Sequence, residues 1–188
     1  MKKITLFLIF SITGLMISSC SNENNEYEKK NMTFEDVEKL INSEKPFSEL
    51  SKKSVLERYG SVEHFYELIL QQQEKIKNKK GSSTSKMAAQ KRVLVEFPGG
   101  NQYFFCHDYE YLLDRMQEIG LDESCSDRAG ATSSCVSRLY SGSVDQSDQI
   151  FLTDYEMEKG WVLICRAYPL YDIHIRTQME GIFTGGKW

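Results

Sequence analysis

The chain has 188 residues, of which 27% are charged, and a formal net charge of −4 at pH 7. This length accommodates one ordinary domain together with an accessory segment. The acidic balance argues against nucleic acid as a partner, because phosphate backbones attract basic surfaces.

The first twenty residues resemble a bacterial lipoprotein signal. Lys2 and Lys3 precede an apolar run over residues 4–17 that is too short for a comfortable membrane span. The letters ISSC, which end at Cys20, resemble a lipobox and imply a diacylglyceryl group on that cysteine. We therefore expect residues 1–19 to be a signal peptide and the lipid bilayer to be a partner through the acyl chains on Cys20. The expected location is the bacterial cell envelope, with the membrane-anchored lipoprotein facing the periplasm or the exterior; an uncleaved anchor or a signal without lipid is the alternative.

The next two zones predict a tether and a helical segment. Residues 20–32 are polar and typical of a disordered tether. Residues 33–80 are charged and place apolar side chains at helical spacing, which predicts short helices that need one another or the following domain as a packing surface. Thr33 and Asp36 are close to a capping-box start for the first of these helices. Residues 81–90 read as a polar linker.

From residue 91 the pattern changes to alternating strands. The strings RVLVEF and NQYFFC predict two strands across a Pro-Gly-Gly turn, and YEYLLDRMQEIG predicts a helix. A loop rich in Ser, Asp, Gly and Cys follows, then a short strand at 136–140 and two further strands in WVLICRAY and YDIHIRT. The order predicts an α+β fold, in which a mixed sheet carries one main helix. The predicted domain spans residues 91–180, and residues 181–188 form a tail.

Four cysteines remain when Cys20 is set aside, namely Cys106, Cys125, Cys135 and Cys165. An even number in an oxidising compartment predicts two disulfides, and buried free thiols are the alternative.

Three strings resemble the plant-type 2Fe-2S ferredoxins across about residues 91–178. They are RVLVEFPGGNQYFFCHDYEYLLDRMQEIGLD, SDRAGATSSC and SGSVDQSDQIFLTDYEMEKGWVLICRAYPLYDIHIRT, in the family's order. The resemblance implies the β-grasp fold for this domain. It also implies four cluster-ligand positions, which fall here on Asp127, Thr132, Cys135 and Cys165, so that two of the family's four cysteines are replaced.

The replaced positions weigh against a cluster. Iron in such clusters is bound by soft thiolates, and a threonine hydroxyl is not deprotonated at ordinary pH. A chain exported unfolded would also leave a cytosolic cluster behind. We therefore expect no metal and no cofactor, with a 2Fe-2S cluster as the minority alternative. Such a cluster would be held by Cys135 and Cys165 with either Asp127 or Cys125.

A disulfide follows from the same resemblance. In the family, the third and fourth ligands bind one iron, so the sulfurs of Cys135 and Cys165 point at a common position. Without metal we predict a Cys135–Cys165 disulfide, and a bridge between Cys106 and Cys125 is possible by elimination.

No catalytic constellation stands out in the sequence, so we expect no enzyme and no catalytic residue. The pair Cys106-His107 precedes a predicted helix and is more typical of a structural role. The main functional hypothesis is a membrane-tethered envelope lipoprotein whose ferredoxin-type domain has lost its cluster and binds an unidentified envelope or extracellular protein. The alternative hypothesis is a membrane-anchored electron carrier with an atypically ligated 2Fe-2S cluster.

Overall fold

The computed structural model describes residues 32–41, 45–80, 89–123 and 125–186. The predicted signal peptide, Cys20, the tether up to residue 31 and most of the linker lie outside the described residues. Within the described ranges, no helix combines the length and the apolar character that crossing a bilayer requires.

Three helices form the N-terminal helical segment: α1 (Phe34–Leu40), α2 (Glu49–Tyr59) and α3 (Val62–Lys80). The predicted capping box of α1 is confirmed, since the Thr33 side chain accepts from the Asp36 N–H and the Asp36 carboxylate accepts from the Thr33 N–H. The side chain of Ser48 caps α2 by accepting from the Ser51 N–H. Gly60 ends α2 in the left-handed region at φ 78°, which glycine adopts without steric cost.

The predicted hairpin is confirmed as β1 (Gln90–Phe97) and β2 (Gly100–His107). The two strands pair antiparallel from Gln90 opposite His107 to Phe97 opposite Gly100. A two-residue Pro-Gly turn therefore joins them.

The remaining strands complete a mixed sheet in the order β2-β1-β7-β3-β5, with β3 (Val136–Ser141), β5 (Trp161–Leu163) and β7 (Ile173–Arg176). Strand β7 runs parallel to β1, whereas β3 is antiparallel to both β5 and β7. Two short strands, β4 (Val144–Asp145) and β6 (Tyr168–Pro169), form a separate antiparallel pair.

The main helix α4 (Leu112–Glu118) packs across this sheet and begins later than the sequence suggested, with Tyr111 at its N-cap. Its buried residues Leu112, Leu113 and Met116 join strand side chains in the principal core. Two short helices, α5 (Asp154–Glu158) and α6 (Glu180–Phe183), and a 3-10 turn (Ile164–Arg166) complete the elements. The predicted α+β, β-grasp fold, a mixed sheet with one main helix, is confirmed.

A second core joins the helical segment to the domain. Val37, Val55, Phe65 and Ile69 of the helices are buried with the methyl groups of the loop that follows α4. The side chain of Tyr59 contacts both this core and the principal one. The helices thus use the domain as well as one another as a packing surface.

Candidate metal centre

The loop between α4 and β3 carries the candidate ligands, and neighbouring segments hold it in place. The backbone N–H groups of Ile150 and Phe151 both donate to the Gly130 carbonyl oxygen, at 2.9 and 3.1 Å. Gly130 has φ +70°, and a Cβ there would lie 2.6 Å from Cγ of Arg166. Only glycine fits this backbone conformation and this close approach.

Three cysteine sulfurs converge under this loop. The Sγ atoms of Cys125, Cys135 and Cys165 lie within 4.8 Å of one another, and all three residues are buried. Cys125 and Cys135 come from the two ends of the loop, and Cys165 comes from the 3-10 turn after β5. The Sγ atoms of Cys135 and Cys165 are 2.7 Å apart, and both residues bear free thiols.

The three thiols influence one another's ionisation. Burial raises the pKa of Cys135 and of Cys165, and the neighbouring Cys125 sulfur raises both further. At Cys125 burial also acts to raise the pKa, but hydrogen bonds from the other two thiols and the charge of Arg128 outweigh it and hold the pKa well below its usual range. Ionisation of one thiol therefore disfavours ionisation of its neighbours, and the thiolate is the state that binds metal.

Asp127 lies beside these sulfurs and organises the loop. It is 1% exposed, and its carboxylate accepts from the backbone N–H groups of Ala129 and Ala131, each at 3.2 Å. Burial, followed by the negative charge of Cys125, raises the pKa of Asp127 to about 7, against hydrogen bonds from Thr132 and these two N–H groups. The first ligand position thus holds a buried carboxyl group whose two oxygens accept from the loop backbone.

Thr132, at the second ligand position, is fully buried, and its side chain hydrogen-bonds within the loop. Its hydroxyl lies 3.0 Å from the hydroxyl of Ser134, which accepts from the Ser126 N–H at 3.0 Å. The hydroxyl of Ser126 is buried without a hydrogen-bond partner among the described residues. A cavity of about 110 Å³ opens beside Cys125, Ser126 and Ser134.

Cys106 is separate from the three converging cysteines. It is buried on β2, where its thiol lies 3.5 Å from the carbonyl oxygen of Glu110. Burial and the Glu110 carboxylate raise its pKa to about 12. The structure therefore places Cys125 with Cys135 and Cys165, and the possible bridge between Cys106 and Cys125 stays a prediction.

Sequence reasoning ranked Cys125 below Cys135 and Cys165 because it stands two residues before a ligand position. The signal that could have raised it is the presence of a second cysteine in a loop that had lost two thiols. The predicted Cys135–Cys165 disulfide also stays a prediction; the structure brings its two sulfurs to 2.7 Å, compared with ~2.0 Å in a formed disulfide.

Comparisons with known proteins identify the domain that carries these cysteines. Residues 95–170 match the model of the 2Fe-2S iron-sulfur cluster binding domain. The heterocyst ferredoxin of Nostoc sp. is 45% identical over 69 residues, which are 37% of this chain and 70% of that protein. The vegetative ferredoxin of Trichormus variabilis is 45% identical over 65 residues, which are 35% of this chain and 64% of the relative. The chain therefore belongs to the 2Fe-2S ferredoxin family.

One of the solved structures with a similar part is that of pectocin M2. The part of pectocin M2 that aligns with this chain is 39% identical in sequence and covers 49% of this chain, with a TM-score of 0.46. This chain spans only 34% of the length of pectocin M2.

The prediction that the chain binds no metal and no cofactor is wrong. The matched family model describes a cluster-binding domain, the relatives are ferredoxins, and the fold gathers three cysteines at one buried point. The error arose from giving Cys125 too little weight as a ligand, whereas the fold carries its sulfur into the same site as those of Cys135 and Cys165. The expected export concerns where a cluster would be inserted, and it does not change which side chains meet at this site.

The donor set fits a 2Fe-2S cluster. Three buried thiols converge at one point, and the same loop carries the buried carboxyl group of Asp127 as a further donor, towards the four ligands that such a cluster requires. The small cavity and the Ser126 hydroxyl, which has no hydrogen-bond partner among the described residues, lie beside Cys125.

Proposed function

We propose that the ferredoxin domain binds a 2Fe-2S cluster through an atypical ligand set and works as a membrane-anchored electron carrier without enzymatic activity of its own. The observation that carries this proposal is the convergence of the Cys125, Cys135 and Cys165 sulfurs to within 4.8 Å. When bound, the cluster supplies the capacity to accept and release one electron.

The ligands divide between inherited and substitute positions. Cys135 and Cys165 occupy the family's third and fourth positions, and Cys125 supplies a further thiolate. Asp127 supplies the fourth donor, since a carboxylate is a harder but genuine anionic ligand for iron. Thr132 keeps its role in the loop, because its hydroxyl is neutral at ordinary pH and is bonded to the hydroxyl of Ser134.

The protein's further contribution is a dry, fixed environment. The ligand residues are each at most 7% exposed, which limits the access of water. Burial and hydrogen bonding around the ligands are the means by which proteins set the reduction potential of such clusters.

The ligand set is tested by reconstitution with iron and sulfide of the chain without its first 20 residues. We expect two iron and two sulfide per chain, visible absorption, and an electron paramagnetic resonance signal on reduction. Cys125→Ala should lose most of the bound iron because a thiolate ligand is removed. The matched variant Cys106→Ala should keep it, because Cys106 lies outside the site. A wild-type chain that stays colourless and free of iron would refute the proposal.

The location is a second part of the proposal. Acyl chains on Cys20 would hold the carrier at a membrane of the bacterial cell envelope, facing the periplasm or the exterior, where its partner would be an envelope or extracellular protein that exchanges electrons with it. The lipobox-like ISSC string and the polar residues that follow support this location. The acidic net charge supports a partner other than nucleic acid.

Fractionation of a bacterial host tests the anchor. The wild-type chain should sediment with membranes and incorporate labelled fatty acid, whereas Cys20→Ser should do neither. Equal membrane association of the two chains would contradict lipidation at Cys20.

In chains that lack the cluster, mass mapping after mild oxidation tests the predicted Cys135–Cys165 disulfide, because the cluster and the disulfide use the same two thiols.

A further inference from the structure

The helical segment contacts the ligand loop directly, although it lies outside the residues matched by the ferredoxin family. The hydroxyl of Tyr59, at the end of α2, lies 3.3 Å from the carbonyl oxygen of Ala131 and 3.4 Å from that of Ile150. Its ring stacks on Phe65 of α3, with centroids 5.4 Å apart. Tyr59 therefore links the helical core to the backbone of the loop.

Glu180, at the start of α6, is a second residue that connects α2 to the ligand loop. Its Oε1 accepts from the hydroxyl of Ser133 in the loop at 2.8 Å and from that of Ser51 in α2. Its Oε2 accepts from the hydroxyl of Ser48, the N-cap of α2, at 2.9 Å. One carboxylate thus fixes the loop, two residues before Cys135, to the start of α2. The hydroxyl of Ser54 lies 3.3 Å from that of Ser133 and adds to this contact.

Between the contacts of Tyr59 and those of Glu180, apolar side chains of the helical segment pack against the ligand loop. Ala129 and Ala131, which flank Gly130, are buried against Val55 and Phe65 of the helices. The loop is consequently buried along the stretch that carries Asp127 and Thr132, although connecting loops usually lie at the surface and are mobile.

We propose that the helical segment is a structural part of the metal centre, and that Tyr59 and Glu180 are positioning residues that hold the ligand loop in the geometry needed to retain iron. This inference deepens the proposed function and rests on it. Metal ligands must be held to within about half an ångström of their working geometry, and outer-shell partners provide that restraint. Here the restraint comes from residues more than 40 positions away from the loop in sequence.

The inference is tested with the conservative variants Tyr59→Phe and Glu180→Gln in the cluster-loaded chain. Tyr59→Phe removes the hydroxyl that contacts the loop, and Glu180→Gln removes the negative charge and one of the two accepting oxygens; both keep the size of the side chain. We expect iron release to a chelator to become roughly 10-fold faster for each, within the range seen when outer-shell partners of metal ligands are removed. We also expect a shift in the visible circular dichroism and in the midpoint potential, which a merely structural role would leave unchanged.

Two matched controls come from exposed positions. Tyr155→Phe changes a tyrosine that is 67% exposed, and Glu49→Gln changes an α2 carboxylate whose side chain is 90% exposed. Both should release iron at the wild-type rate.

Ser133→Ala removes the loop hydroxyl that donates to Glu180, so it should reproduce the effect of Glu180→Gln. The double variant of Ser133→Ala with Glu180→Gln should release iron little faster than either single variant.

The outcomes separate this inference from the proposed function. If the wild-type chain binds iron and the Tyr59 and Glu180 variants release it at the wild-type rate, the helical segment has no positioning role. If the wild-type chain binds no iron, the proposed function fails, and alkylation of Cys125, Cys135 and Cys165 in the reduced chain tests the restraint on the loop. Faster alkylation in both variants than in their controls would support the restraint, and equal rates would overturn it.

Discussion

Arg166 directly follows the ligand Cys165 and brings a positive charge to the edge of the site. Its Nε is buried without a partner among the described residues, and its guanidinium lies 5.0 Å from the centroid of the Tyr111 ring. The side chain also packs over Gly130, so the absence of a Cβ at that glycine makes room for it. A buried cation near a cluster favours the reduced state, which carries one more negative charge.

Replacing Arg166 with Gln should lower the midpoint potential of the bound cluster. We expect a shift of roughly −50 mV, equivalent to about 1 kcal/mol for one electron, because the lost charge is poorly screened at a buried position. A redox titration followed by visible absorption measures it. Arg92→Gln is the control, because the Arg92 side chain is 61% exposed and solvent screens its charge. Equal potentials for the wild-type chain and Arg166→Gln would contradict this role.

At the scale of elements, α2 is the helix that joins the helical segment to the domain. Arg58 donates from both terminal nitrogens to the carboxylate of Glu156, at 2.9 and 3.1 Å, and also donates to the Phe151 carbonyl oxygen. Its guanidinium lies 4.1 Å from the centroid of the Phe151 ring. Both side chains of the ion pair are about three-quarters buried, so the pair is less weakened by solvent than an exposed one.

Arg58→Ala should lower the free energy of unfolding by about 2 kcal/mol, because the variant loses a two-point ion pair, a hydrogen bond and the contact with the Phe151 ring. Urea unfolding measures the change. On the same helix, Lys53→Ala should cost less than about 0.5 kcal/mol, since the Lys53–Glu57 pair is 67% exposed on both sides. Similar losses for the two variants would mean that Arg58 does not anchor the helix.

At the scale of the whole molecule, the two cores are contiguous. Tyr59 packs against both, and its ring lies 6.4 Å from that of Phe151 in the principal core. The exposed salt bridges, such as Lys45 with Asp122, add little to this connection. The helical segment and the ferredoxin domain are therefore expected to be a single cooperative unit.

Unfolding of the cluster-free chain should accordingly show one transition. With Trp188→Phe, the fluorescence of Trp161 reports on strand β5, while far-ultraviolet circular dichroism reports mainly on the helices. The two curves should coincide, and adding the cluster should raise the midpoint because the ligand binds only the folded state. Two separated transitions would show that the helical segment unfolds independently of the domain.

Much of the fold was predictable from local patterns. The hairpin, the main helix and the strand near residue 136 follow from alternation, helical spacing and turn residues, each of which involves neighbours in the chain. The predicted helix boundaries were less accurate. Helix α4 begins only at Leu112, because Tyr111 has an extended backbone and forms the N-cap. The family resemblance also placed Asp127, Thr132, Cys135 and Cys165 in one site.

The sequence by itself determined the α+β fold, its order of elements and the positions from which a 2Fe-2S ferredoxin draws its ligands, because these depend on local patterning and on linear spacing. Only the tertiary structure decided that Cys125 joins Cys135 and Cys165, and that Tyr59 and Glu180 hold the ligand loop. Those contacts join residues between 10 and 132 positions apart, including Ser48 with Glu180. Their geometry arises from burial of two cores against one another, which periodicity along the chain does not encode.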